Sequence, residues 1–390
     1  MSAHALLSPS SAHRWLNCPR APRLEAQLPE KVSKYAEEGT VAHSVCEIIA
    51  KKHFGKIKTN AYFNKAIKKP QTNELWDDEM LRTAETYVEH LAERAMSFST
   101  EPYTAFEVKV DISDYVPEAF GRCDCVMLGG DTLIITDYKH GKGVAVEAEK
   151  NPQMMLYALG ALKLYKPLFG ETLKNVWMYI DQPRINSYEG WSCTVEELLA
   201  WGEEIKPKAD MAFAGFGEYH AGDWCRFCRA NGICKAQAEQ QISAFDDFKD
   251  AIENPESALL SPEEISDVLE RGKNLVVWYD TVKENALSQI LAGAKIPGWK
   301  AVEGRSIRVW SDQDKALEKL QANGIDRAAI YDSVPKTLAQ LEKMIGKTKF
   351  RKLVDEFIVT PQGKPTLAAE NDKRKEFNSA ANDFAAVAEQ

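Results

Sequence analysis

No apolar run in this chain approaches the roughly 20 residues needed to cross a bilayer, and Met1-Ser2-Ala3-His4 leads into no signal-peptide core. A soluble, cytoplasmic protein without membrane partners is therefore expected. Net positive charge is also missing. The formal net charge is -9 at pH 7, which excludes attraction of nucleic acid by the molecule as a whole and leaves that task to local basic patches or bound cations. No Gly-x4-Gly-Lys-Ser/Thr phosphate loop occurs, so a self-contained NTP-driven motor is not expected. Cysteines are sparse and uneven, 8 in 390 residues, which argues for thiols or metal ligands over a disulfide framework. Long repeats and low-complexity linkers are absent as well. What is present is 44% hydrophobic composition, enough at this length for one main domain plus an appendage.

The informative stretch runs from Phe120 to Tyr157. It reads as a strand, a Gly129-Gly130 turn, a second strand and a helix, with the two strands forming an antiparallel hairpin. Strand alternation puts Leu133, Ile135, Asp137 and Lys139 on one face. Asp124, in the preceding strand, can face Asp137 across the ladder. Asn151-Pro152 suits a helix cap with proline at the first helical position, and Gln153 and Tyr157 then share a helix face. Two adjacent carboxylates repel unless a cation separates them, and hard oxygen ligands favour Mg2+ or Mn2+. A lysine beside such an ion can activate water or neutralise charge developing on a phosphate, as phosphodiester hydrolysis requires. The spacing Asp-x12-Asp-x-Lys by itself is equally compatible with a solvated strand end.

Other signals surround this stretch. Leu7 to Leu16 reads as a capped short helix that stops at Asn17-Cys18-Pro19. A second helix opens at Glu38-Gly39-Thr40 and carries His43 toward His53, with Val41, Val45, Ile48 and Ile49 as its apolar stripe. From Lys51 to Lys69 there are seven lysines and no acidic residue, interleaved with Phe54, Tyr62 and Phe63. A solvated loop or a track for a DNA strand would both produce that pattern. A strand over 105 to 112 carries Glu107. Asn175 to Asp181 reads as a fourth strand, reached through a helix and therefore parallel to the strand before it. The expected product is an α/β fold with a mixed central sheet flanked by helices. Cys225, Cys228 and Cys234 make a Cys-x2-Cys-x5-Cys ligand group that needs a fourth donor, with zinc the simplest occupant. Cys46, Cys123, Cys125 and Cys193 read as small apolar fillers, with Cys123 and Cys125 sharing one strand face.

Beyond Glu239 a separate, mainly helical module is expected. Ser261-Pro262-Glu263-Glu264 is a capping box opening a long helix to about Leu291. Gly298 to Trp310 reads as a hairpin turning at Glu303-Gly304. Lys336, Lys343, Lys347, Lys349, Arg351 and Lys352 make the stretch after Pro335 basic, the region from Gly363 to Lys375 is basic without periodicity, and the tail from Asn378 should fray.

The order Gly121-Arg122-x-Asp124, Asp137-Tyr138-Lys139, then Gln153-x3-Tyr157, preceded by Gly39-Thr40-x-x-His43 and Cys18-Pro19, resembles the PD-(D/E)xK nucleases of the RecB and AddB type. The resemblance covers roughly residues 5 to 240. It implies a PD-(D/E)xK core over residues 1 to 240 and a C-terminal accessory module over 241 to 390. It further implies Mg2+ or Mn2+ held by His43, Asp124, Asp137 and the Tyr138 carbonyl, with Lys139 positioning water and Gln153 and Tyr157 holding the substrate strand. Glu107 matches a glutamate frequent in that family's first strand, in a supporting role. Cys18, Cys225, Cys228 and Cys234 match its 4Fe-4S ligands, with zinc as the alternative. By the same resemblance the protein is a DNA exonuclease of the phage-encoded RecB-like kind, in recombination or DNA processing, with a single-strand annealing protein as a possible partner. A noncatalytic DNA-binding or assembly protein with a structural metal cluster is the competing expectation. Oligomeric state is left open.

Overall fold

The computed structural model describes residues 5–29, 34–143, 145–244, 260–330, 335–361, 363, 365–369 and 373–377. Residues 1 to 4 and the tail from Asn378 lie outside the described residues. The chain divides into two compact units, Met1–Leu259 and Leu260–Gln390.

In the first unit a 3-10 turn at Pro9–Ser11 leads into α1 (Ala12–Asn17) and then α2 (Ala21–Glu25). The buried Trp15 ring anchors α1, and its indole N–H donates to the Ser8 carbonyl. Next come α3 (Lys34–His53), α4 (Asn60–Gln71) and α5 (Glu79–Met96). The strands β1 (Tyr103–Asp111), β2 (Phe120–Gly129) and β3 (Thr132–Tyr138) lead to α6 (Pro152–Phe169), β4 (Asn175–Gln182), β5 (Ser187–Thr194), α7 (Val195–Ala214) and α8 (Lys235–Ser243). The sheet order is β1-β2-β3-β4-β5. β4 runs parallel to β3 because α6 carries the chain back across one face; the other pairs are antiparallel. The mixed sheet follows the expected α/β pattern. β5 is an addition that the sequence hid, since its residues are mostly exposed and polar.

Two cores sandwich the sheet. Leu133, Ile135, Val126, Val176 and Met178 pack beneath α6 and α7, while Cys125, Met127 and Ile134 pack against α3 and α5. Burying one such aliphatic side chain contributes about 1.5–3 kcal/mol. The caps hold these helices in place: Asn151 Oδ1 accepts from the Gln153 and Met154 amides with Pro152 at the first position, and Thr194 and Glu197 form a capping box on α7. Among the described residues no helix is long and apolar enough to cross a membrane.

One expectation fails in an instructive way. Cys123 and Cys125 do not share a face: Cys123 faces α6, whereas Cys125 lies in the α3 and α5 core. β1 switches in the same place, with Phe106 toward α3 and Val110 toward α6. Between them Glu107 adopts a φ of 54°, and the ladder skips the Glu107–Asp124 level while pairing Phe106 with Cys125 and Val108 with Cys123. A left-handed residue inside a strand reverses the side-chain alternation, at a cost on the order of 1–3 kcal/mol.

The second unit contains α9 (Pro262–Leu291), opened by the Ser261/Glu264 capping box. It continues with β6 (Trp299–Glu303), β7 (Val309–Trp310), α10 (Gln313–Ala322), α11 (Arg327–Ile330), α12 (Leu338–Ile345), α13 (Lys347–Val354), β8 (Ile358–Val359) and β9 (Pro365–Ala369). Leu317, Leu320, Leu341, Phe350 and Val354 form its core. The hairpin expected at Glu303-Gly304 is not formed. β6 pairs instead with β9, in the stretch from Gly363 that shows no periodicity, and β7 with β8 just before it.

Candidate metal centre

The β2–β3 ladder pairs Cys125 with Thr136 and goes no further. The next level, Asp124 opposite Asp137, is where the strands part, and side chains take over. Asp124 Oδ2 accepts from the Tyr138 amide at 2.7 Å, and Asp124 Oδ1 lies 3.2 Å from His43 Nδ1 on α3. The switch at Glu107 brings that carboxylate to the same place. His43, Glu107 and Asp124 present ligand atoms within 4.8 Å of one another. They line, with Cys46, Glu47 and Tyr138, a cavity of about 10 Å3, the room of one water-sized sphere. Glu107 was expected only in support, and Asp137 was expected as a ligand. The structure puts Glu107 in the trio and Asp137 beside it.

Asp137 belongs to a second set of contacts on the α6 side. Lys139 Nζ lies 2.9 Å from Asp137 Oδ2 and donates to Gln153 Oε1 at 3.1 Å. Gln153 Nε2 donates to Asp137 Oδ1 at 3.1 Å and lies 3.2 Å from Tyr157 Oη. The buried Asp137 Oδ2 thus has the Lys139 ammonium as its neutralising cation. Gly121 completes the wall, since a Cβ there would fall 2.6 Å from the Tyr157 ring. Asp124, Asp137, Lys139, Gln153, Tyr157, His43 and the Tyr138 backbone are thus brought to one place.

The electrostatics divide the carboxylates. Burial pushes Asp124 up, but His43, the Tyr138 amide and Lys139 outweigh it and hold it below the ordinary carboxylate range. Burial and the neighbouring Asp124 raise Asp137 despite Lys139. Burial, then Asp124 and Glu47, raise Glu107 to about 7. Burial alone would lower His43, yet Asp124 and Asp137 raise it to about 9. Without a metal the imidazole therefore carries a proton and supplies the positive charge that a cation would bring.

The cysteines come together less tightly. Cys18 caps the C-terminal end of α1, and a 3-10 turn at Asp223–Phe227 carries Cys225 beside it. Arg14 donates to the Phe227 carbonyl at 3.3 Å, and buried Glu25 accepts from Arg14 Nε and from the Arg229 amide, both at 2.9 Å. Cys18 lies near enough to Cys225, and Cys234 to Cys18, for ionisation of one thiol to disfavour that of the next. Burial raises the thiols of Cys18 and Cys225, and brings Cys228 to about 12. Among the described residues the four sulfurs form no group within 4.8 Å. Tetrahedral zinc, with Zn–S of about 2.3 Å, would hold its sulfurs about 3.8 Å apart.

The family described as "Protein of unknown function (DUF2800)" matches residues 4–375. The chain belongs to that family. A solved structure titled "Crystal structure of SSO0001" is similar at 13% identity over 58% of this chain and 96% of its own, with a TM-score of 0.24, too low to carry an argument.

In this DUF2800 chain a buried polar network behind the site escaped the sequence reading. Tyr138 Oη donates to Thr83 Oγ1 at 2.9 Å and lies 3.0 Å from His140 Nδ1. His140 Nε2 lies 3.1 Å from Glu38, and Arg184 joins Glu38 to Glu79. Arg94 also grips the fully buried Asp181 with both Nη atoms, at 2.7 and 2.6 Å. Glu38 was visible in Glu-Gly-Thr, and His140 follows Lys139 directly. Arg184 lies 146 residues from Glu38 and 105 from Glu79, and no local pattern links such residues.

Proposed function

We propose that this protein is a metal-dependent DNA nuclease with a PD-(D/E)xK-type core, hydrolysing phosphodiester bonds from DNA ends. The observation that supports it is the trio His43, Glu107 and Asp124 around an ion-sized cavity, next to the buried Asp137–Lys139 ion pair. This donor set, one imidazole and several carboxylates, fits Mn2+ or Mg2+. Asp137 and, as the resemblance implies, the Tyr138 carbonyl would be further oxygen donors. A cation bound there supplies Lewis acidity at a phosphoryl oxygen and lowers the pKa of a bound water.

The chain's own groups do the rest. Lys139 keeps its proton beside Asp137 and can donate to a water or to a charged phosphate oxygen. Gln153 holds Lys139 and Asp137 at fixed positions through one amide, and so orients the general machinery before substrate arrives. Tyr157 presents its hydroxyl to the same amide and lines the path of the strand. Cys18, Cys225, Cys228 and Cys234 are assigned to a 4Fe-4S cluster on the strength of the resemblance, with zinc as the alternative occupant. DNA is the substrate, recombination or DNA processing the setting, and a single-strand annealing protein a possible companion.

The test uses anaerobically purified protein with Mn2+ and compares linear with covalently closed DNA, for wild type and Asp137→Asn. With wild type, linear DNA should disappear from its ends while closed DNA survives, and with the variant both should survive. Intact linear DNA with wild type would instead favour the noncatalytic binding protein.

A further inference from the structure

α3 carries His43 near its middle and ends in a lysine-rich turn about 13 Å further along. Glu47 takes Lys51, and from Ile48 to Asn73 no acidic residue follows. Lys52 donates to Asn60 Oδ1 at 2.7 Å, which ties the end of α3 to the start of α4. Lys56 lies over the Tyr103 ring, 5.8 Å from its centroid. Among the described residues no carboxylate pairs with Lys58, Lys65, Lys68 or Lys69, as none does with Lys166, Lys174 or Lys208; what sets α4 apart is that three such lysines fall within five residues, 65 to 69. α4 buries Ile67 and Pro70 on one side. Its outer side presents Tyr62, Lys65 and Lys69 at i, i+3 and i+7, with Lys68 alongside. Tyr62 is 63% exposed, a large ring with no apolar reason to face water.

From this geometry we infer that α4 and the turn before it form a binding surface for a single nucleic-acid strand, which continues from the metal centre along α3. This surface rests on the nuclease reading for its partner and deepens it by naming the form of the substrate. The lysines meet phosphates, and Tyr62 offers its face to an unpaired base, the combination that single-strand channels use. An acidic whole molecule makes the patch count for more, because the surrounding charge attracts no polyanion of its own. Duplex DNA would not show a base face to Tyr62, so the strand is unpaired here.

The experiment follows binding of full-length protein to a fluorescent single-stranded oligothymidine by anisotropy in EDTA, across a salt series. Lys65, Lys68 and Lys69→Ala are compared with a charge-matched control, Lys166, Lys174 and Lys208→Ala, all exposed in the same unit. Alanine keeps α4 helical, and circular dichroism checks it. The α4 triple should bind on the order of tenfold more weakly, with a log-log salt slope reduced by about 2, while the control matches wild type. Replacement of the same three lysines by arginine should restore binding. Tyr62→Ala should weaken binding to oligothymidine but not to an abasic strand. An α4 triple that binds like wild type, or two triples that lose affinity equally, overturns the surface. A Tyr62→Ala that loses affinity for both strands, or for neither, overturns the stacking role and leaves a simple polyanion patch. The nuclease reading fails separately: wild type that binds with this lysine dependence but never cleaves would remove it and keep the surface.

Discussion

Asp124, Asp137 and Lys139 stand on or directly after strands of the central sheet, where β3 stays paired with β4 while the β1–β2 ladder skips the Asp124 level and the β2–β3 ladder breaks off, whereas Cys18, Cys225, Cys228 and Cys234 stand in or at the ends of short helices and turns. The first group balances its charge internally, with protonated His43 against Asp124 and Lys139 against Asp137. In the second group burial raises the thiols of Cys18, Cys225 and Cys228, with no such balance. A site on strands keeps its geometry with or without a cation. A site on loops takes its geometry from what it binds, so that binding and folding are one event. The carboxylate site should therefore lose function without losing the fold, and the cysteine site should do the reverse.

The largest separation is expected from Asp124→Asn and Asp137→Asn. Each should reduce cleavage roughly a thousandfold or more, since a cation at such a site stabilises the transition state by several kcal/mol. Without metal the melting temperature should hold or rise in Asp137→Asn, which neutralises a carboxylate that burial and Asp124 disfavour, and fall in Asp124→Asn, whose amide NH2 would face a donor, His43 or the Tyr138 amide. A variant that cleaves at the wild-type rate would remove that residue from the site.

Cys18→Ser should show the opposite signature. A cross-link joining Cys18 to the group some two hundred residues later is worth on the order of 5 kcal/mol in the chain-entropy estimate. The variant should lose its brown colour and melt earlier, and residues around α1 should become open to protease, while Mn2+ binding at Asp124 persists. Iron retained in Cys18→Ser would remove that cysteine from the ligands, and zinc without iron or sulfide in anaerobic protein would replace the cluster.

A pH series sharpens the contrast further. His43 at about 9 and Glu107 at about 7 must both be unprotonated to hold a cation. Affinity for Mn2+ should climb with pH, by about tenfold per unit between 7 and 9, where one proton is displaced, and more steeply below 7. Both folded pKa values lie above their unfolded ones. Their contribution to stability is therefore present at low pH and is lost as pH rises through about 7 for Glu107 and about 9 for His43. A metal affinity flat across that range would mean that neither group is a ligand.

The smallest effect is expected outside both sites. Lys347, Lys349 and Lys352 on α13 are exposed, and their replacement by alanine should lower the salt dependence of DNA binding only modestly, without touching cleavage chemistry. An unchanged slope would make them plain surface.

The hairpin and α6 were legible because their information is local: alternation places Asp137 with Lys139, Gly129-Gly130 sets the turn, and Asn151-Pro152 sets the helix start. Glu107 was not legible as a ligand, because its entry depends on a left-handed backbone at one residue, which no side-chain pattern announces. The same switch separates Cys123 from Cys125. In the second unit the β6–β9 and β7–β8 pairs join segments about fifty to seventy residues apart, and a local hairpin signal at Glu303-Gly304 lost to them. Gly363, whose Cβ would fall 2.2 Å from the Gly304 carbonyl, marks how closely those segments meet.

The most direct measurement is a Mn2+ titration followed by electron paramagnetic resonance on the wild type, Glu107→Gln, Asp124→Asn and Asp137→Asn. The geometry calls for tightly bound Mn2+ in the wild type, lost in Asp124→Asn and weakened in Glu107→Gln, with Asp137→Asn the mildest of the three. Equal binding by all four proteins, or none by the wild type, would contradict a cation held by His43, Glu107 and Asp124.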